Sequence, residues 1–166
     1  ITIPKSYSYT VSSDAASSGA AVFEGKPITF TITRNNVGDE TTVYLSTIAG
    51  TSHGADSNDF KNFSKTALKF GKQDTQKTFV VETFNDASTE GNSGVENFSL
   101  GLFTKSTQAS PTVSSTAYIK DKAPTDYNYA ITSSAATEGA AVTEGGEITF
   151  TISRSKVTNS DADSES

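Results

Sequence analysis

The side-chain groups of this 166-residue chain that could take part in catalysis or metal binding are mainly hydroxyls and carboxylates. Ser and Thr account for 24 and 25 residues and Asp and Glu for 19, whereas histidine occurs once, as His53, and cysteine is absent. A nucleophilic hydroxyl needs a base beside it, and a zinc site needs several nitrogen or sulfur ligands. One histidine without cysteine provides neither. We therefore expect a protein that is not an enzyme, with His53 in a loop and the carboxylates as its reactive groups.

The charge balance limits the classes of partner that the chain is expected to bind. The formal net charge is -6, and the 13 Lys and Arg residues are scattered along the chain. Nucleic acids and anionic membranes are bound through basic patches, so neither is an expected partner. No stretch approaches the roughly 18 apolar residues of a membrane span, and no leader of the secretory type begins the chain. Cations are the ligands that this composition favours.

The hydrophobic pattern predicts strands. In PITFTITR (27–34), apolar Ile28, Phe30 and Ile32 alternate with threonines, which places one face of a strand in a core. Similar runs recur between Gly-, Asn- and Asp-rich turns, and GKQDT (71–75) is expected to close a hairpin. We predict an all-β fold: a two-sheet antiparallel Greek-key sandwich, immunoglobulin-like, of about seven strands. The residues expected inside it are Val22, Ile28, Phe30, Ile32, Val43, Leu45, Leu68, Phe70, Phe79, Val81, Phe98, Leu100 and Ile119.

An internal repeat organises the chain. GAAVFEGKPITFTITR (19–34) returns as GAAVTEGGEITFTISR (139–154), and a shift of 120 aligns residues 7–34 with 127–154 at 17 identities in 28 positions. We expect one sandwich over residues 1–121, a linker over 122–126, and the start of a second, incomplete copy over 127–166. Two strands with an apolar face are marginal in water, so something must cover Ile148, Phe150 and Ile152. Either the rest of this copy lies in a longer array, or strands of a neighbouring molecule complete it.

Four motifs in order resemble the Calx-beta domain family. They are VFEGKPITFTITR, AGTSHGADSNDF, LKFGKQDTQKTFVVETFNDASTEG and VENFSLGLF, which together extend from about Val22 to Asp121. The resemblance implies a β-sandwich that binds calcium at one end. Carried over to this chain, it nominates Glu24, Asp59 or Asp56, Asp86, Glu90 and Asp121 as metal ligands.

The chain departs from the family pattern at that end. Asn85-Asp86-Ala87 stands where many members have three aspartates, and Lys120 and Lys122 flank Asp121. Calcium takes about 6 to 8 oxygen ligands, and its affinity rises with the number of carboxylates. The sequence therefore predicts one weak calcium site.

Two functions follow from these observations. The first is a structural or adhesive repeat module of an extracellular or cell-surface protein or filament, stabilised by calcium, whose partners are adjacent copies of the repeat and neighbouring subunits joined by strand complementation. The alternative is a calcium-regulated binding module in which ion occupancy sets the geometry between adjacent domains.

Overall fold

A computed structural model describes residues 5–51, 54–85, 94–121 and 127–156. The chain divides into two compact units, Ile1–Lys122 and Ala123–Ser166, called unit 1 and unit 2 below. His53 lies outside the described residues. Within the described part of the chain, no helix is long and apolar enough to cross a membrane.

Unit 1 consists of eight described strands in two sheets. A three-stranded sheet has the order β1-β3-β6, and a five-stranded sheet has the order β2-β8-β7-β4-β5. The strands are β1 (Tyr9–Ser13), β2 (Val22–Phe23), β3 (Ile28–Arg34), β4 (Thr41–Ala49), β5 (Thr66–Phe70), β6 (Gln76–Val81), β7 (Val95–Phe103) and β8 (Val113–Lys120).

The all-β prediction is confirmed, but the strand pairing differs from a purely antiparallel sandwich. The described residues form ten strands in three sheets, and β2 runs parallel to β8, so the five-stranded sheet is mixed. The prediction missed β2 because two residues are too short to show a period. The turn 71–75 is also not a hairpin, since β5 and β6 belong to different sheets. It carries the chain from one sheet to the other.

The core of unit 1 lies between the inner faces of its two sheets. Phe30 on β3 and Phe98 on β7 meet edge to face with ring centroids 5.9 Å apart. Phe60, from the loop after β4, stacks on Phe98 at 4.2 Å. Of the predicted core residues, Val22, Leu68 and Phe79 are only partly buried, and the rest are buried. Strict alternation along β3 and β7 is what made these positions readable from the sequence.

Arg34 closes the end of unit 1 at which β3 terminates. Its side chain is 1% exposed, and its guanidinium donates hydrogen bonds to the backbone oxygens of Asp39 (2.9 Å) and Gly71 (2.9 Å). The guanidinium also lies 4.8 Å from the centre of the Tyr7 ring. These contacts join the end of β3 to the loops before β4 and after β5, and we call this arrangement the Arg34 clamp.

A carboxylate orders the turn beside the clamp. Asp74 Oδ2 accepts the Gly71 N–H at 2.8 Å and forms a 2.7 Å ion pair with Lys77 Nζ. The hydrogen bond from Lys77 and then the one from Gly71 hold the pKa of Asp74 below its usual value. The ionised form of Asp74 is therefore the one that favours the folded turn.

Unit 2 contains two described strands, β9 (Tyr127–Ser133) and β10 (Phe150–Lys156), paired antiparallel. A short 3₁₀ turn, Glu138–Ala140, lies between them, as Ser18–Ala20 lies between β1 and β2. The apolar residues of β9 and β10 are exposed: Ile131 and Ile152 are each 69% accessible and Phe150 is 66% accessible.

Candidate metal site

Three acidic residues lie at the end of unit 1 where β2 and β8 finish and β7 begins. Glu96 pairs with Ile119, whose side chain faces the core, and Glu96 is 4% exposed. Val22 also pairs with Ile119, so Glu24, two residues further on, continues on the same face; it is 7% exposed. Asp121 follows Ile119 by two residues and by the same alternation lies on this side. Together with Asp59, described next, these residues define the acidic end of unit 1.

Asp59 belongs to the loop that follows β4. Its side chain is 2% exposed, and its Oδ2 accepts the Asp56 N–H at 2.7 Å. Its backbone oxygen accepts the Phe84 N–H at 2.8 Å, and its neighbour Phe60 is buried. Asp56 itself is exposed and caps the Asn58 N–H at 2.7 Å. Of the two alternatives in the sequence, Asp59 thus lies inside the fold, and Asp56 shapes the loop.

The turn after Glu24 packs on the segment that leads to the remaining predicted ligands. Gly25 has a φ of +77°, and a Cβ placed on it would lie 3.5 Å from the Asn85 Cβ. Thr83 Oγ1 donates to the backbone oxygen of Lys26 at 2.8 Å. Residues 24–26 therefore lie against residues 83–85. The predicted ligands Asp86 and Glu90 follow directly but lie outside the described residues.

Gly94 leaves space for the Asp121 carboxylate. It has a φ of +73°, and a Cβ there would lie 2.9 Å from Asp121 Oδ2. The Asp121 N–H donates to the Gly94 backbone oxygen at 2.9 Å, which fixes the two residues side by side. A side chain at position 94 would be both strained and in collision with the carboxylate.

The side chain of the lysine before Asp121 lies on the outer face of the sheet. Lys120 Nζ lies 4.0 Å from the centre of the Phe23 ring, and both residues are on the face of the sheet opposite Ile119. The cation–π contact keeps its charge on the outer surface. Lys122 lies outside the described residues.

The oxygen donors of these residues are of the type that a hard cation binds. Glu24, Asp59 and Asp121 bring carboxylate oxygens from three separate segments to one end of the unit, and calcium prefers such oxygens. Among the described residues, however, no group of three or more His, Cys, Asp or Glu side chains is placed to hold a metal ion. A complete site would therefore need Asp86 or Glu90 as well.

Glu96 is a candidate that the sequence prediction did not nominate. The signal was present, because Glu96, Phe98 and Leu100 alternate with polar residues and must share the inward face. A glutamate at the edge of that face has its carboxylate beside the core, at the end where Asp121 lies.

This architecture defines the class of protein: an all-β module with carboxylates at one end. The sequence profile of the Calx-beta domain matches residues 22–123. Because this match extends over more than half of the chain, the chain belongs to the Calx-beta domain family.

The chain is similar to several solved structures. The apo-form Calx CBD1 domain is 17% identical with a TM-score of 0.49, covering 69% of this chain and 97% of that one. The calcium binding domain CBD12 of CALX1.1 is 21% identical with a TM-score of 0.48, covering 61% of this chain and 42% of that one. The Calx CBD2 domain is 14% identical with a TM-score of 0.43, covering 63% and 84%. The sequence matches no curated protein.

Proposed function

We propose that the chain is a structural, adhesive module of a repetitive extracellular or cell-surface protein or filament, and that calcium bound at the acidic end stabilises it. The observation that supports calcium is the burial of Glu24 and Asp59, at 7% and 2% exposure, on two segments that both contact residues 83–84. Burial disfavours the charged form of a carboxylate, and a bound cation would offset that cost. Members of the Calx-beta family are calcium-binding modules, which agrees with this reading.

The ligands in this proposal are Glu24, Asp59 and Asp121, with Asp86 and Glu90 completing the set. Glu96 lies at the edge of the core at the same end, and Asp56 would order the loop that holds Asp59. The ion, when bound, supplies positive charge that neutralises these groups. The Asn and Ala on either side of Asp86 reduce the number of ligands, so the proposed site is weak.

The repeat supports the structural part of the proposal. Residues 1–121 form one module in this reading, 122–126 a linker, and 127–166 the beginning of a second copy, so that adjacent copies of the repeat are the partners. A module repeated along a chain suits spacing and adhesion at a cell surface.

Thermal unfolding with and without calcium tests the proposal. Extracellular calcium modules bind with Kd values of about 0.1–1 mM, so 10 mM calcium should stabilise unit 1 by roughly 1.4–2.7 kcal/mol and raise its Tm by several degrees. Glu24→Gln should abolish the increase. Glu40→Gln is the matched control, because Glu40 pairs with Lys69 on the surface at 2.8 Å. Calorimetry that detects no binding at 10 mM calcium would refute the calcium site.

A second function, ion-controlled domain geometry, is favoured by one observation. Asp121 is both a proposed ligand and the last described residue before the linker to unit 2. Ion binding at this position would restrain the direction in which the chain leaves unit 1. Small-angle scattering distinguishes the two functions: a regulated module changes its overall dimensions on addition of calcium, whereas a structural spacer changes only its Tm.

A further inference from the structure

The tripeptide Asn-Phe-Ser occurs twice in unit 1, at residues 62–64 and 97–99, and the sequence contains no other Asn-x-Ser or Asn-x-Thr. Asn-x-Ser/Thr, where x is not proline, is the acceptor sequence for N-linked glycans in secreted proteins. The two copies are identical in sequence, so only their places in the fold can distinguish them.

The first copy lies on the surface, in the loop between β4 and β5. Asn62 and Ser64 are exposed. Phe63, between them, is partly buried and meets the ring of Phe79 on β6 edge to face, with centroids 4.8 Å apart. The Phe63 N–H donates to Thr47 Oγ1 at 2.9 Å, and the Phe63 backbone oxygen accepts the Thr47 N–H at 3.0 Å. The central residue therefore anchors the loop, while the two residues on either side stay accessible.

The carboxamide of Asn62 is oriented with its oxygen toward the protein. Its Oδ1 accepts a hydrogen bond from Thr47 Oγ1 at 3.2 Å. Its Nδ2, the atom that becomes glycosylated, donates no hydrogen bond within the described part of the chain. Attachment of a sugar to Nδ2 would therefore break no contact of the folded loop.

The second copy is built into the sheet. Asn97 pairs with Tyr118 across β7 and β8, and Phe98 is 0% exposed. The Asn97 backbone oxygen accepts the Ala55 N–H at 2.9 Å. A Cβ placed on Gly50 would lie 2.7 Å from Asn97 Oδ1, so the Asn97 side chain lies directly against the loop after β4. A sugar on this side chain would have to displace that loop.

We propose that Asn62 carries an N-linked glycan and that Asn97 does not. In the transfer, Asn62 Nδ2 forms a C–N bond to the anomeric carbon of a sugar activated as a phosphate or pyrophosphate ester. The bond between that carbon and the phosphate oxygen breaks, the phosphate leaves with the electron pair, and the nitrogen loses one proton. The inference rests on the proposed extracellular role, because this acceptor sequence is used in secreted proteins, but it does not depend on the calcium site.

Intact-mass spectrometry of the full-length chain, recovered from the surface of its own cells, tests the proposal. We expect a mass above that of the polypeptide by a whole number of sugars, and removal of this excess by an amidase that cleaves the bond between Asn and sugar. The amidase excludes sugars attached to serine or threonine hydroxyls, which it leaves in place.

Four variants assign the glycan to one site without replacing either asparagine by a different shape in the fold. Ser64→Ala removes the first acceptor sequence and should give the mass of the bare polypeptide. Ser64→Thr keeps that acceptor and should keep the glycan. Ser99→Ala is the matched control, because it removes only the second acceptor and should leave the glycan in place. The double variant Ser64→Ala/Ser99→Ala should match Ser64→Ala.

Three results would overturn the proposal. Wild-type chain at the cell surface with the mass of the bare polypeptide would exclude the glycan and leave the extracellular role intact. An excess mass that the amidase removes from Ser64→Ala but that is missing in Ser99→Ala would place the glycan on Asn97. A chain found only inside the cell and unmodified would refute the glycan and the extracellular role together.

Discussion

Removal of the Phe98 ring should destabilise unit 1 and weaken the acidic end together. Phe98 is 0% exposed, stacks on Phe60 with centroids 4.2 Å apart, and meets Phe30 edge to face at 5.9 Å. Truncation of a buried phenylalanine to alanine costs about 3–5 kcal/mol. Domains of this kind have a total stability of about 5–15 kcal/mol, so Phe98→Ala should remove about a fifth or more of it.

The assay is urea unfolding followed by tyrosine fluorescence, which is available because the chain has 6 Tyr and no Trp. With a slope of about 1–3 kcal/mol/M, the midpoint should fall by roughly 1–5 M urea. Phe98→Leu, which keeps most of the volume, should cost less than about 1.5 kcal/mol. Phe150→Ala is the matched control in unit 2, where the same residue type is 66% exposed and its loss should be nearly neutral.

A second readout connects the core to the proposed site. Phe60 is fixed by its stacking on Phe98, and it adjoins Asp59 in the loop after β4. Loss of the ring should therefore loosen Asp59 and weaken calcium binding several-fold, even under conditions where Phe98→Ala remains folded. If Phe98→Ala and Phe150→Ala unfold at the same urea concentration, the assignment of Phe98 to the centre of the core is wrong.

Three further predictions follow from single contacts. Gly94→Ala should lower the Tm by several degrees and reduce calcium affinity in titrations, because its Cβ would lie 2.9 Å from a carboxylate oxygen and its φ is +73°; an unchanged Tm would contradict the close approach. Arg34→Met should cost about 1–3 kcal/mol in urea unfolding, since it removes the donors to the part-buried backbone oxygens of Asp39 and Gly71. Arg154→Met on exposed β10 should be nearly neutral, and equal effects would contradict the Arg34 clamp. The pKa of Asp74 is lowered in the folded state, so its stabilising contribution is present above its unfolded pKa of about 4 and is lost as the pH falls through its folded pKa. Asp74→Asn should therefore flatten the dependence of Tm on pH in that range. An unaltered pH profile of Tm would exclude this role for Asp74.

The sequence predicted the parts of the fold that alternation specifies. Ile28, Phe30 and Ile32 follow a strict period of two, and one face of such a strand must be buried, so their place in the core could be read directly. A period cannot reveal which sheet a strand joins. β5 and β6 are separated by a short turn that looks like a hairpin, yet they belong to opposite sheets, because pairing depends on partners distant in the chain.

At the acidic end, too, the sequence motifs predicted some features, whereas others depend on contacts between residues distant in the chain. The motifs indicated that Glu24 and Asp121 approach one another, but they could not choose between Asp56 and Asp59. The two residues differ in burial in the structure: Asp59 adjoins Phe60, which stacks on Phe98, and is buried, whereas Asp56 is exposed. The sequence analysis recognised Arg34 only as part of the repeat. Its contacts could not be predicted because its partners are backbone oxygens of two loops, and side-chain types do not reveal backbone partners.

The position of the two ends of unit 1 determines how it would carry mechanical load. The chain enters beside the Arg34 clamp and leaves at Asp121, at opposite ends of the strands. Tension between these points acts along β1 and β8, so the hydrogen bonds between β1 and β3 are loaded in shear and must fail together rather than one after another. The Tyr118 N–H, which donates to the Ala15 backbone oxygen at 2.9 Å, links the segment after β1 to β8 across the two sheets. Unit 1 should therefore resist stretching more strongly than a hairpin pulled open from one end.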